Sequence, residues 1–182
     1  MQYNEKGFTL MELLVIISIT VIMTIALFAN YGKSSDSFAL ERSGQKLAQD
    51  LRRAQEMSMS GFEGESSANG YGIFFDKTSG SEGNYIIYMN KNVNMYRDAG
   101  DTDKETVKLE TGIKICDVLD NDAAPTLNAN SVSVSFEPPD PVTYIDSNYI
   151  GHAATIILCI ISNPTEIRKV KVNNMGMIEV TR

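Results

Sequence analysis

A long apolar run near the N-terminus constrains this chain more than any other feature of its sequence. Residues 8–29 contain one ionisable side chain, Glu12. As a helix, this segment would extend for roughly 33 Å, which is enough to cross a bilayer. The apolar residues cover every face of that helix rather than one stripe, which disfavours a buried soluble helix as the alternative.

The position of Glu12 is informative. A charged side chain inside a membrane-spanning helix costs on the order of 2.5–3.5 kcal/mol, so it needs a partner. The run contains no Lys or Arg that could be this partner. Cleavage after Gly7 would create an α-amino group on Phe8, one helical turn from Glu12 in its own chain or in a neighbour's. The sequence therefore predicts that proteolysis supplies the counter-charge.

The N-terminal segment resembles the class III signal of type IV pilins and type II secretion pseudopilins. A short polar leader ends in Gly7, and Phe-Thr-Leu-x-Glu-Leu-Leu and an apolar run follow it. The resemblance implies that a membrane-embedded prepilin peptidase cleaves between Gly7 and Phe8 and N-methylates Phe8. It also implies that Glu12 pairs with the N-terminal amine of an adjacent subunit, and that the partners are other pilin or pseudopilin subunits and an inner-membrane assembly platform.

Two other N-terminal signals fit the run less well. An ordinary secretory signal has a more basic start, an apolar core of about 7–15 residues and an A-x-A-like cleavage site. A plain single-pass anchor leaves the combination of Gly7 and Glu12 unexplained. Flanking charges do not indicate the orientation of the span. The resemblance implies a single pass through the inner membrane, with the leader in the cytoplasm and the C-terminal part outside it.

The length of 182 residues suits one globular domain with an N-terminal extension. We expect a leader at residues 1–7, a transmembrane and filament-core helix at 8–30, an amphipathic continuation of that helix at 31–60 and a globular β-rich domain at 61–182. The formal net charge of −7 does not favour bulk electrostatic binding of nucleic acid or anionic lipid.

The amphipathic continuation is predicted from apolar or small residues at alternating spacings of four and three. These residues are Leu40, Gly44, Leu47, Leu51, Ala54 and Ser58. Their stripe should pack on the globular domain. Gly32 allows a hinge, so an independent surface helix is the alternative.

After the helix, the sequence takes on the period and composition of strands. The predicted strands are 71–76, 84–90, 106–109, 113–118, 131–137, 153–162, 166–173 and 177–181. Residues 173–176 have the composition of a turn, whereas 123–130 and 138–151 are predicted to be long loops. One long helix followed by these strands indicates an α+β fold with a mostly antiparallel sheet.

Three segments also resemble GspH/FimT-type minor pseudopilins and pilins. Residues 47–55, Leu-Ala-Gln-Asp-Leu-Arg-Arg-Ala-Gln, are similar to the corresponding helix of that type. The strand at 71–75 and the C-terminal hairpin at 170–180 follow in the same order. The resemblance implies a structural subunit of a type II secretion pseudopilus or a type IV pilus, with a FimT-like DNA-binding minor pilin as the alternative.

The chain has two cysteines, Cys116 and Cys159, so only one intramolecular pairing is possible. Both lie in predicted strands. A disulfide and two buried free thiols are both open interpretations.

An acidic stretch is the one candidate for metal binding. Asp98, Asp101, Asp103 and Glu105 place carboxylates close together along the chain, as a calcium loop does. The stretch lacks the twelve-residue EF-hand spacing, and a solvated acidic loop is the default interpretation.

Basic residues near the C-terminus, Arg168, Lys169, Lys171 and Arg182, form the candidate for DNA contact. Because some FimT-like pilins are DNA receptors in natural transformation, the resemblance offers phosphate contact as one role. A solvated hairpin face is the other interpretation.

Catalysis is not expected. His152 is the only histidine, so a His-based metal site or a relay of several histidines cannot form. The sequence contains no G-x-S-x-G, P-loop or dinucleotide motif. We predict a protein that is not an enzyme and needs no cofactor.

Overall fold

The computed structural model describes residues 7–29, 31–60, 69–120, 124–125, 130–138, 142–146 and 153–182. The chain divides into two compact units, Met1–Asp36 and Ser37–Arg182. Helix α1 spans Leu10–Ala29 and helix α2 spans Tyr31–Met59. Residue 30, between the two helices, lies outside the described residues.

Helix α2 buries one face in the core of the second unit. All six residues of the predicted stripe are buried, and Leu47, Leu51 and Ala54 are fully so. The prediction of an amphipathic helix that packs on the domain is confirmed. Gly32, where a hinge was considered, has helical backbone within α2.

The strands follow α2 in the chain order β1 Gly70–Asp76, β2 Asn84–Asn90, β3 Thr102–Lys108, β4 Ile113–Asp120, β5 Ala124–Pro125, β6 Ser131–Glu137, β7 Val142–Ile145, β8 Ala153–Ile160, β9 Asn163–Asn173 and β10 Ile178–Thr181. They form two five-stranded sheets with the orders β3-β2-β1-β6-β7 and β10-β9-β8-β4-β5. Neighbouring strands in both sheets pair antiparallel. The predicted α+β class with antiparallel sheet is confirmed.

The core lies between α2 and the inner faces of both sheets. Alternate residues of each strand point inward, as the period of two requires. Ile73 and Phe75 of β1 and Ile156 and Leu158 of β8 join Leu47 of α2 in one cluster of buried apolar side chains. The helix therefore belongs to the same core as the strands.

Ion pairs also attach the flanks of α2 to β3, to β9 and to the connection between β3 and β4, and we call them the α2 ion pairs. They are Arg42–Glu110 (2.6 Å), Arg53–Glu105 (2.9 Å) and Glu41–Arg168 (2.6 Å). Arg42 and Glu110 meet through two hydrogen bonds. Charged residues beside the apolar stripe thus have partners within the same unit.

The turn between β9 and β10 agrees with the prediction for residues 173–176. The side-chain oxygen of Asn173 accepts hydrogen bonds from the backbone N–H groups of Met175 and Met177, both at 3.0 Å. Gly176 has φ 74°, which a residue without a Cβ adopts without strain.

The prediction of a long loop at 138–151 is wrong for residues 142–145. These residues form β7, which pairs with β6 from Glu137↔Val142 to Val134↔Ile145. The prolines at 138, 139 and 141 suggested a loop, but residues 142–145 pair antiparallel with the preceding strand, β6, and this pairing decides their structure. The two-residue β5 likewise lies inside the predicted loop 123–130.

Strand β3 begins at Thr102, earlier than the predicted residue 106. Residues 103–105 are charged and exposed, so their sequence lacks the apolar alternation of a half-buried strand. They lie on an edge strand, where exposed charges are common because they discourage pairing with other chains.

Candidate functional site

The predicted cleavage site lies just before the first helix. Gly7, Phe8 and Thr9 precede α1, and Glu12 lies in its first turn. The side chain of Phe8 is 78% exposed. The two residues of the predicted scissile bond are thus outside the helix and accessible, and residues 1–6 of the predicted leader lie outside the described residues.

Thr9 caps helix α1, a role that the sequence analysis missed. The N–H of Glu12 donates to the Thr9 side-chain Oγ1 (3.2 Å) and to its carbonyl oxygen (3.1 Å). A Thr whose hydroxyl accepts from the N–H three residues later is an N-cap. The signal was present in the sequence, because Thr-x-x-Glu before an apolar run is the capping-box pattern.

Helix α1 exposes apolar side chains on all sides. Within the described part of the chain, Leu10–Phe28 is the single segment long and apolar enough to cross a membrane. The leucines, isoleucines and valines of this segment are about half exposed or more. Such a surface is stable in lipid or against other apolar helices, but not in water.

The hydroxyl side chains inside α1 are satisfied within the helix. The hydroxyls of Ser18 and Thr24 donate to the carbonyl oxygens of Leu14 and Thr20, at 2.8 and 2.7 Å. Back-bonding of this kind removes the need for an external partner in an apolar medium. The helix is therefore compatible with a membrane despite its hydroxyl groups.

The acidic residues considered for calcium have other partners. Asp98 accepts hydrogen bonds from Gly100 N–H (2.7 Å) and from the side-chain amides of Asn92 and Asn94. These bonds, that from Gly100 above all, lower the pKa of Asp98. They make Asp98 the centre of a closed turn in the β2–β3 connection.

The remaining members of this group form ion pairs or bond to the backbone. Asp103 pairs with Arg97, which lowers the pKa of Asp103, and Glu105 belongs to the α2 ion pairs. Asp101 accepts from the N–H groups of Lys91 and Asp98. The four carboxylates are not gathered around one point, and the described residues contain no group of three or more ligands poised for a metal.

The predicted basic cluster is divided between two faces of a sheet. Arg168 alternates with Val170 and Val172, which face the core, and its side chain binds Glu41 of α2 and is only 14% exposed. Lys169 and Lys171 lie on the opposite face, since side chains alternate along a strand. Arg182 lines the same shallow depression as Arg168. The four residues therefore do not form one basic surface.

Cys116 and Cys159 are joined by a disulfide, with Cα atoms 5.8 Å apart. Cys116 lies where the register of β4 shifts against β8, and Cys159 is fully buried on β8. The bond therefore links neighbouring strands of the second sheet. His152 lies outside the described residues.

Residues 2–28 match the family model described as the prokaryotic N-terminal methylation motif. No curated protein matches the chain in sequence. Among solved structures, two crystal forms of the type IV minor pilin FimU of Pseudomonas aeruginosa, in space groups P21 and P65, are similar at 10% sequence identity. Each covers 79% of this chain, with 88% and 93% of the respective FimU chain covered and TM-scores of 0.48 and 0.46.

Proposed function

We propose that this chain, a type IV pilin-like protein that carries the prokaryotic N-terminal methylation motif, is a minor structural subunit of a type II secretion pseudopilus or a type IV pilus. The observation that carries the proposal is the match of residues 2–28 to that motif. The local geometry supports it, because Gly7 and Phe8 are exposed ahead of the helix and Glu12 lies in its first turn.

In this proposal, prepilin peptidase cleaves the Gly7–Phe8 bond and methylates the new amine of Phe8. A methylated amine remains cationic. The carboxylate of Glu12 then binds the amine of a neighbouring subunit, so that each added subunit is drawn to a defined axial position. The charge of Glu12, which is costly in an apolar environment, is the source of this selectivity.

Helix α1 has two successive environments in this proposal. It first anchors the subunit by a single pass through the inner membrane, with the globular domain outside the cytoplasm. It then moves into the filament, where contact with other helices replaces contact with lipid. Because lipid tails are as apolar as the helix surface, this exchange costs little, and the ion pair gives it direction.

The alternative of direct DNA capture has less support. Arg168 is engaged with Glu41, and Lys169 and Lys171 lie on the other face of the sheet. A phosphate backbone needs several cations on one surface. We therefore favour a structural role in secretion or pilus assembly, without catalytic activity, over a FimT-like role in DNA uptake.

The first experiment tests processing. N-terminal sequencing of the protein from its native host should begin at a methylated Phe8. A Gly7→Leu variant should accumulate as the longer precursor, whereas Gly83→Leu, at a position where a Cβ has open space, should be processed normally. A wild-type protein that retains Met1 would contradict the proposal.

The second experiment separates the functional classes. Deletion of the gene should reduce protein secretion or piliation. A mobility-shift assay with the full chain in detergent should show no DNA binding even at low salt. A salt-dependent shift together with loss of DNA uptake, but with normal secretion and piliation, would favour the DNA-receptor alternative.

A further inference from the structure

We propose that Thr9 is a positioning residue for removal of the leader: by capping α1, it keeps the Gly7–Phe8 peptide bond outside the helix and open to the peptidase. The inference rests on the proposed function, because it concerns the same cleavage. It assigns a role to a side chain that lies next to the scissile bond but belongs to neither of its two residues.

The hydrogen bonds of α1 begin at Thr9. The N–H groups of Glu12 and Leu13 donate to the Thr9 carbonyl oxygen at 3.1 and 3.2 Å, and the Thr9 hydroxyl accepts a second bond from Glu12 at 3.2 Å. The carbonyl of Gly7, which a peptidase must attack, lies upstream of this first acceptor. The cap therefore fixes the helix boundary two residues beyond the scissile bond.

This boundary matters because a peptide bond inside a helix is a poor substrate. Its carbonyl accepts a bond from the N–H four residues later, and the neighbouring side chains surround it. A peptidase needs the carbonyl carbon free and the chain extended. In the structure, Gly7 and Phe8 lie ahead of the helix and are exposed, so their peptide bond is not part of the helix.

Removal of the cap offers the helix another starting point. Gly also serves as an N-cap, so Gly7 is the next residue upstream able to take the role. The helix would then begin at Phe8, and the Gly7 carbonyl would accept a bond from the N–H of Met11. In an apolar medium this extension is favoured, because it satisfies backbone groups that have no water to bind.

The test compares variants of the full-length precursor in detergent micelles with purified prepilin peptidase, and mass spectrometry measures loss of the leader. Thr9→Val keeps the shape of the side chain but removes the hydroxyl. Loss of a Thr cap shifts the equilibrium between a helix capped at Thr9 and one capped at Gly7 by a factor of about five. We expect kcat/KM to fall by about two- to fivefold. The decrease should come from a higher KM at unchanged kcat, since a smaller fraction of the precursor is competent to bind.

Two further variants serve as controls. Thr9→Ser retains a capping hydroxyl and should be cleaved at the wild-type rate. Thr20→Val removes a hydroxyl from the interior of the same helix, where it donates to the Ile17 carbonyl at 2.9 Å, and should also be cleaved normally. Thr9→Ala replaces Thr9→Val if the valine variant does not enter micelles.

Hydrogen exchange supplies a readout that does not depend on the enzyme. In Thr9→Val, exchange at the Met11 amide should become slower, because that N–H gains the Gly7 carbonyl as its acceptor. Unchanged Met11 exchange together with unchanged KM in Thr9→Val would overturn the role of Thr9 and leave the proposed function intact. A wild-type precursor that is not cleaved after Gly7 would instead contradict the proposed function itself.

Discussion

The two helices of this chain differ in how their apolar side chains are distributed and covered. Helix α1 exposes apolar side chains on every side, whereas α2 confines them to one stripe that its own domain covers. The polar residues differ in the same way. Hydroxyls in α1 bond back to the helix, while charged residues of α2 bind partners on β9 and in the connection between β3 and β4.

This difference shows where each helix must find its partners. The stripe of α2 is satisfied within the chain, so its role is to hold the domain together. The surface of α1 needs lipid or other helices, and Glu12 needs a cation that the described chain does not place beside it. Assembly should therefore depend on α1, and stability on α2.

The largest expected effect tests the assembly half of this comparison. Glu12→Ala should be cleaved normally but incorporated into filaments at least tenfold less, because the carboxylate no longer draws the neighbour's amine. Immunoblots of sheared filaments and membranes measure the two quantities. Glu56→Ala, at an exposed position of α2, is the matched control. Normal filament abundance of Glu12→Ala would contradict the role assigned to this carboxylate.

The next effect concerns the stability of the domain. Replacement of both Cys116 and Cys159 by Ala should lower the free energy of unfolding by about 4 kcal/mol, as expected for closure of a loop with a sequence separation of 43. Urea unfolding of the full chain, followed by tyrosine fluorescence, measures it. Reductant should weaken the wild type and leave the double variant unchanged. Equal urea midpoints for the wild type with and without reductant would show that the bond contributes little.

A pair of identical substitutions then compares the helices directly. Leu51→Ala in α2 should destabilise the domain by about 3 kcal/mol, because it opens a cavity in a fully packed core. Leu14→Ala in α1, where the side chain is 55% exposed, should leave the same unfolding transition unchanged. A similar loss for both variants would remove the distinction between the two helices.

The smallest effect concerns the ion pairs. Arg42 lowers the pKa of Glu110 and Arg97 lowers that of Asp103, from usual values of 4.5 and 3.8. Carboxyl groups with lowered pKa stabilise the fold above their unfolded pKa, and this contribution is lost as the pH falls through the folded value. Stability should hold from pH 7 to about 5 and decrease below about 4.5.

Solvent screening limits this pH effect, because most of these groups are partly exposed. Urea midpoints measured from pH 7 to 3 provide the test. Arg42→Gln should slightly reduce the decrease of the urea midpoint at acid pH. Arg52→Gln, at an exposed position of the same helix, should leave that decrease unchanged. An identical decrease at acid pH in Arg42→Gln and the wild type would exclude a contribution of the Arg42–Glu110 pair to the pH dependence of stability.

Local patterns predicted much of this fold. The stripe from Leu40 to Ser58 identified the buried face of α2, and alternation in residues 131–137 gave the bounds of β6. Strand β7 was missed because the prolines before it have the composition of a loop, although its pairing partner β6 directly precedes it in the chain. The division of the strands into two sheets was not predicted because it depends on pairing between strands that are distant in the sequence, such as β1 with β6.

The predicted processing and assembly residues are contiguous in the sequence. Gly7, Phe8 and Glu12 lie within six positions, inside the segment that matches the family model, and their individual roles stay predictions. The predicted basic residues do not form one surface, because side chains alternate along a strand and Arg168 and Lys169 therefore lie on opposite faces of β9. The separation of Arg168 from Lys169 can be predicted from the sequence once β9 is assigned as a strand. The cap at Thr9 can likewise be predicted from the Thr-x-x-Glu pattern.

The disulfide also determines how the domain would respond to tension. The segment between Cys116 and Cys159 leaves the second sheet, contributes β6 and β7 to the first, and returns. A force that stretches the chain from end to end would pass through the sulfur atoms and bypass this segment. Roughly 150 Å of contour length would then be withheld from extension, so a subunit pulled in a filament would lengthen less than its residue count suggests.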